Sequence, residues 1–247
     1  MKGTIAVKTA PVTEPITTAE AKTHMRVDIS DDDTYIATLI TAARKYIEEL
    51  TGVRMVTQTL YYYLDVFPED DIIAIPVGPV TSVTSVKYTP TGESQETFSS
   101  STGYETDLVS LPARIALKDG QSWPSNTLNR VNGVCVEFVA GYGSAAGLVA
   151  ARADLAAAEA LVAAATAGTL AAAQVALVAA VVAVSAAEAA AIAEIPEDLR
   201  SAVKLLVAHW YEHRMSVSGA EGGTDLKNIP MSMFSILENY RMWQREQ

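Results

Sequence analysis

Apolar side chains at Ile36, Leu39, Ile40, Ala43, Ile47 and Leu50 keep the three-and-four spacing of one buried helical face. The spacing predicts a helix from about Ser30 to Thr51, with the Ser30 hydroxyl capping the free amides and Asp31, Asp32 and Asp33 complementing the positive end of the helix dipole. Gly52 is its natural stop. Upstream, after an extended N-terminal arm, Thr17 and Glu20 have capping-box spacing, which predicts a short helix to about Met25.

From Met55 the period changes. Tyr61, Tyr62, Tyr63, Leu64 and Val66 lead into a turn at Pro68, and further strands are expected at Ile72 to Ile75, Val80 to Thr89, Glu96 to Phe98, Arg114 to Leu117 and Val134 to Ala140. Gly-Pro, Pro-Thr-Gly and Asp-Gly signals separate them, so a small antiparallel sheet is expected. Within Val80 to Tyr88 the apolar residues do not alternate cleanly, and no inner face follows from the pattern.

Residues 148–193 are almost wholly Ala, Val and Leu, with no charge between Glu159 and Glu188. A span of that length is long enough for a bilayer. Against that reading, alanine is only weakly apolar, Gly168 and Thr169 interrupt the run, and no basic cluster or aromatic belt flanks it. Alanine favours helix and permits close helix contact, so the expectation is a helical hairpin folded back at Ala167, Gly168 and Thr169, with no membrane involved. Pro196 then opens a helix with Leu199, Val203, Leu206, Val207 and Trp210 on its apolar stripe, ending near Ser216. After a polar, glycine-rich loop at 218–228, a last helix starts near Pro230, with Phe234, Leu237 and Arg241 at matching spacing.

The order is helices, strands, hairpin, helices. That order implies an α+β, mainly α fold in which the first and last helices pack together: N-terminal arm and helices at 1–54, an inserted antiparallel β lobe at 55–143, the Ala-rich hairpin at 144–194, and C-terminal helices at 195–247.

Charge narrows the function. A formal net charge of -11 does not suit a surface that grips nucleic acid through phosphate neutralisation, although it suits a wall past which DNA slides. Cys135 is the single cysteine, so no intramolecular disulfide forms, and a reducing, cytoplasmic setting is expected. Residues 1–15 lack the pattern of a secretory signal.

The sharpest catalytic candidate is His209, Glu212 and His213, an H-x-x-E-H spacing that in a zinc hydrolase puts two imidazoles on one helix face with a carboxylate as base. A catalytic zinc also needs a third protein ligand, and nothing marks one: His24 is the only other histidine and Glu238 is one carboxylate among many. The metal-dependent hydrolase is therefore the alternative, and the expectation is no catalytic, metal or cofactor site. The cluster Asp28, Asp31, Asp32 and Asp33 lacks the alternation and turn glycine of a calcium loop. Phosphate-binding glycine motifs and a G-x-S-x-G elbow are absent from the sequence. Cys135, in an apolar strand pattern, reads as an inert small hydrophobe.

Four stretches, taken in order, resemble the head-to-tail connector (adaptor) family of tailed bacteriophages, in particular its longer members with a β insertion. They are EPITTAEAKTHMRVDISDDDTYIATLITAARKYIEELTG, IPVGPVTSVTSVKY, PARIAL with VCVEFVAGYG, and IPEDLRSAVKLLVAHWYEHR. The Ala-rich hairpin departs from the pattern. The resemblance implies a structural subunit of the virion neck, assembled in the host cytoplasm. It also implies a homo-oligomeric ring, twelve-fold, beneath the portal protein, which extends the DNA channel and offers a platform to a tail or stopper protein. DNA would pass through without specific binding. A connector's C-terminal segment is expected to reach the portal. Here that points to Met233, Phe234, Leu237, Tyr240 and Trp243 as partner-binding residues, since Met and aromatic side chains suit interface anchors.

Overall fold

The computed structural model describes residues 3–143, 145–166, 168–213 and 231–241. Helix α1 (Thr18–Met25) starts with the predicted capping box: the Thr17 hydroxyl accepts the Glu20 N–H at 3.1 Å, and the Glu20 carboxylate accepts the Thr17 N–H at 2.8 Å. Helix α2 (Asp33–Thr51) buries Ile36, Ile40, Ala43 and Ile47 and ends at Gly52, whose φ of 76° lies in the left-handed region. Its start differs from expectation. Asp32, not Ser30, holds the N-cap position, and Ser30 only lends its carbonyl to the Asp33 N–H in a preceding turn. The acidic residues there serve as tethers: Asp33 pairs with Lys22 of α1 at 2.7 Å, and Asp32 accepts the Tyr211 hydroxyl at 2.6 Å.

The strands build two antiparallel sheets where one was expected. Strands β1 (Thr4–Thr9), β2 (Gln58–Leu64), β8 (Val134–Ala140), β4 (Val80–Tyr88) and β5 (Glu96–Phe98) lie in the order β1-β2-β8-β4-β5. Strands β3 (Ile72–Ile75), β7 (Ala113–Leu117) and β6 (Tyr104–Asp107) form a second sheet in the order β3-β7-β6. The N-terminal arm is thus an edge strand, paired with β2 through Thr4–Tyr63 and Val7–Leu60. The blurred alternation in β4 has a cause: its register against β8 shifts twice, between Val80 and Ser82 and between Val83 and Ser85. The two sheets share a core of Leu60, Ile73, Ile75, Val86, Ile115 and Phe138, with Phe67 stacked on Trp123 at 5.0 Å.

Helices α3 (Ala145–Ala163) and α4 (Leu170–Ala193) form the expected antiparallel hairpin. Helix α5 (Glu197–Glu212) follows Pro196, which takes the cap position just outside the first turn. Helix α6 (Met231–Leu237) and a 3-10 turn at Glu238–Tyr240 close the described chain. Leu199, Val203, Leu206 and Val207 of α5 and Met233 and Leu237 of α6 share one core with Ile16, Ile36, Ile40 and Ile47. First and last helices therefore pack together, with the β part and the hairpin inserted between them in sequence.

The junction is laced by backbone. Arg54 N–H donates to the Gly78 carbonyl at 2.7 Å, Gly78 N–H to the Gly52 carbonyl at 3.2 Å and Gly141 N–H to the Pro79 carbonyl at 2.9 Å. The Thr57 hydroxyl engages the carbonyls of Tyr142 and Gly143. Gly141 has φ 131°, and a Cβ there would meet the backbone of Val56 and Thr57 at 2.5 Å, so only glycine fits without a shift.

Candidate functional site

The H-x-x-E-H residues sit at the end of α5. The rings of His209 and His213 are 4.7 Å apart, and His213 Nδ1 lies 2.9 Å from the His209 carbonyl oxygen, a contact that favours the Nδ1–H tautomer. Glu212 is exposed beside them. Among the described residues no group of three or more His, Cys, Asp or Glu side chains comes together in a metal-holding arrangement. Cys135 is buried in β8 between neighbouring strands, and burial pushes its thiol above the ordinary range, which keeps it protonated and slow to react.

The remaining candidates are surfaces. Of the five C-terminal residues expected to bind a partner, Met233 and Leu237 are fully buried in the subunit's own helical core, where they pack with α5. A side chain with no exposed surface cannot anchor a partner while α6 stays docked, so these two serve the core. Phe234 and Tyr240 are only partly buried against the same core. Tyr240 lines a hollow of about 180 Å³ with Val53, Pro79, Leu111 and Tyr142, where the helical and β parts meet. Burial, then the nearby Asp198 carboxylate, raises the Tyr240 phenol above its ordinary pKa. Trp243 lies outside the described residues.

Two further surfaces carry weaker signals in the sequence. One is the set of four sheet edges: β1 and β5 end the larger sheet, β3 and β6 the smaller. An edge strand offers unpaired backbone groups to a neighbour. On β1, Lys8 reaches across to Glu137 at 2.6 Å.

The other is the hairpin. Its inner seam is a regular alternation of large and small residues. Leu148, Ala151, Leu155, Ala158 and Val162 on α3 are the more buried positions, at spacings of three and four, and they face Ala173, Leu177, Ala180, Val184, Ala187 and Ala191 on α4. The three-and-four spacing is that of a coiled-coil seam, with Arg152 and Glu188 paired at 2.8 Å on its flank. Most of the rest is exposed, including Val149, Leu161, Val175, Val178, Val181 and Val182. Helix α4 is long and apolar enough to cross a membrane by length and composition.

Comparison with known proteins gives a consistent picture. Residues 15–111 match the family model of phage gp6-like head-tail connector proteins, and residues 144–243 match that of head completion proteins. Among curated proteins none matches. Three solved structures share the fold over nearly the whole chain. A chain from the neck of an empty GTA particle, computed with C6 symmetry, is 20% identical with a TM-score of 0.61, covering 96% of this chain and 95% of its own. One from the virion of a native gene transfer agent (GTA) particle is 18% identical with a TM-score of 0.63, covering 96% and 94%. One from the neck of a native GTA particle, computed with C12 symmetry, is 19% identical with a TM-score of 0.56, covering 94% of each chain.

Proposed function

We propose that the chain is a structural neck protein of the phage head-to-tail connector kind, a ring-forming adaptor between head and tail. The observation that carries this reading is the tiling of the chain by two neck-type family models, joined by one helical core that both halves complete. The structure holds features that suit such a subunit. Its sheets end in open edges and its hairpin presents apolar faces, and both are surfaces that a neighbouring subunit covers.

In this reading the copies stand as a closed ring, twelve to the turn, beneath the portal protein. The ring prolongs the channel through which the genome leaves and gives a tail or stopper protein its seat. Assembly takes place in the host cytoplasm. Phe234 and Tyr240, with Trp243 beyond them, supply part of the contact to the portal or to the next copy. A formal net charge of -11 keeps the DNA from sticking, because like charges repel and the 18 Lys and Arg are outnumbered by 29 Asp and Glu. The work of the protein is positional, with no bond made or broken. The hydrolase alternative rests on His209, Glu212 and His213 alone and gains no further ligand from the described residues.

The experiment is to mix the purified chain with portal rings and follow complex formation by light scattering and electron microscopy. Rings of the chain, alone or seated on the portal, are expected. If it neither forms rings nor binds the portal, the adaptor reading is wrong. Stoichiometric zinc with an activity lost in a His209→Gln/His213→Gln variant would replace it by the hydrolase.

A further inference from the structure

Helix α4 carries two seams, not one. The first, through Ala173, Leu177, Ala180, Val184, Ala187 and Ala191, is mated with α3. The second runs through Ala171, Val175, Val178, Val182, Ser185 and Ala189 at the same alternation of four and three. It is displaced from the first by two residues, which at 3.6 residues per turn puts it nearly opposite on the helix. All six of its positions are exposed, with Val175 at 71%, Val178 at 64% and Val182 at 61%. Helix α3 has a second seam as well: Ala146, Val149, Ala153, Ala156, Ala160 and Ala163, also spaced by threes and fours and also exposed. A single mated seam is what a free-standing hairpin needs. Two helices with a second seam each, on the outward sides, are built for a row of helices.

The two outward seams complement each other. That of α4 is a valine ridge, and that of α3 is a furrow of alanines interrupted only by Val149. Neither contains a charged residue. The charges of α3, Arg152, Asp154 and Glu159, fall outside its furrow. Ridge and furrow share one period, so they stay in register along their length. Direction agrees too. When copies are related by rotation about an axis along the hairpin, α4 of one lies beside α3 of the next, and the two run antiparallel, as they do inside each hairpin.

Resting on the ring reading above, we propose that α4 of each copy docks its Val175–Val178–Val182 ridge into the alanine furrow on α3 of the next copy. The hairpins then form an unbroken palisade of alternating helices around the ring. Area explains why the contact belongs to a ring. The shorter helix, of 19 residues, is about 28 Å long and about 10 Å wide, so one face covers roughly 300 Å² in projection. A stable pair of proteins buries about 800 Å² on each partner. One hairpin contact falls short of that, and closure, in which every copy uses both faces, is what makes the contact persist. A bilayer is the competing occupant, and α3 opposes it. Any lipid around α4 also surrounds its antiparallel partner, which carries Arg152, Asp154 and Glu159 within its 19 residues.

The test uses the full chain with Ala153→Cys and Val182→Cys together, positions at matching height on the two outward seams when counted from the turn. Within one copy they face away from each other across two helices, roughly 20 Å apart, beyond a short bis-maleimide. Rings assembled alone or on portal are treated with that reagent. A ladder of covalent multimers is expected from the double variant and only monomer from either single variant, with buried Cys135 silent. Rings that form, as seen by electron microscopy, and give no ladder overturn the palisade while leaving the adaptor reading intact. If no rings form and no portal is bound, the adaptor reading falls and the palisade with it. Co-flotation of the Val182→Cys variant with phosphatidylcholine–phosphatidylglycerol vesicles, its introduced thiol shielded from a water-soluble maleimide, assigns the ridge to lipid and also overturns the proposal. Val178→Lys gives an independent check. Exposed in the monomer, it should leave helix content unchanged and raise the concentration needed for ring assembly roughly tenfold or more, and an unchanged requirement counts against the docking.

Discussion

The Glu48 carboxylate accepts the main-chain N–H of Met55 at 3.0 Å, so the last turns of α2 hold the first residues of the β part from below. The same carboxylate takes Gln58 Nε2 at 3.3 Å and Arg44 Nη1 at 3.1 Å, and Arg54 Nη1 lies at 3.5 Å. Glu48 and Arg44 are both buried, and Arg44 is held in turn by Glu14 of the N-terminal segment at 2.7 Å.

Removing one member of a buried ionic group leaves the others uncompensated. Glu48→Ala should therefore lower unfolding free energy by about 3–5 kcal/mol. Glu48→Gln keeps an acceptor for Met55 and should cost less. Urea denaturation of both variants checks the order. Equal losses would mean that the charge on Glu48, not the hydrogen bond to Met55, is what the fold uses.

Gly141 and Gly92 make a controlled pair. Both have positive φ, 131° and 79°, but a Cβ at Gly141 meets backbone at 2.5 Å while one at Gly92 meets nothing within 4 Å. Gly92→Ala should cost about 1–2 kcal/mol, the penalty of a left-handed alanine. Gly141→Ala should cost clearly more, because Val56 and Thr57 must also move. Thermal melts of the two variants decide it, and equal shifts would show that the junction yields.

Asp107 gives the pH prediction. The Ser110 hydroxyl and the Arg114 guanidinium, each at 2.6 Å, with the main-chain N–H groups of Ser110 and Val109, hold its carboxyl well below the ordinary range. A carboxyl depressed in the folded state stabilises the turn fully above its unfolded pKa of about 3.9 and loses that contribution as pH falls below it. Exchange protection of the Val109 and Ser110 amides should accordingly decline below about pH 4. In Asp107→Asn the decline should be absent and protection low throughout. Identical profiles in both proteins would discard the assignment.

The C-terminal segment separates into two kinds of residue. Met233→Ala should destabilise the subunit by about 2–5 kcal/mol, since it empties a filled core position. Phe234→Ser should leave the fold in place, shown by unchanged circular dichroism, and weaken binding to portal rings or to neighbouring copies. Full binding by the Phe234 variant would move the contact elsewhere.

Local chemistry explains which elements are legible in the sequence. The Thr17–Glu20 box and the Ile36–Ile47 stripe encode their helices within a few residues, so α1 and α2 end where the sequence says. Strand β1 reads only as an arm because a one-sided edge strand pairs through backbone and shows mostly exposed side chains. Strand β6, Tyr-Glu-Thr-Asp, has no apolar run to announce it. The hairpin is legible as two helices, but its mated seam is not, because in a segment made of alanine and valine every face looks alike until burial marks the inner one. At the C-terminus spacing alone does not tell a fully buried Met233 from a half-buried Phe234.

The helical core closes over a long stretch of chain. Ile16, Ile36, Ile40 and Ile47 share their core with Leu199, Leu206 and Met233 from far along the chain, whereas the buried members of the β core all lie between Leu60 and Ala140. During synthesis the strands can complete their core while the first helices still wait, apolar side outward, for about 150 further residues. At about 5–20 residues per second that wait lasts on the order of ten seconds. A nascent chain halted in the alanine-rich segment is thus the form most prone to aggregate, and a cell making neck proteins in quantity has reason to keep translation through that segment fast.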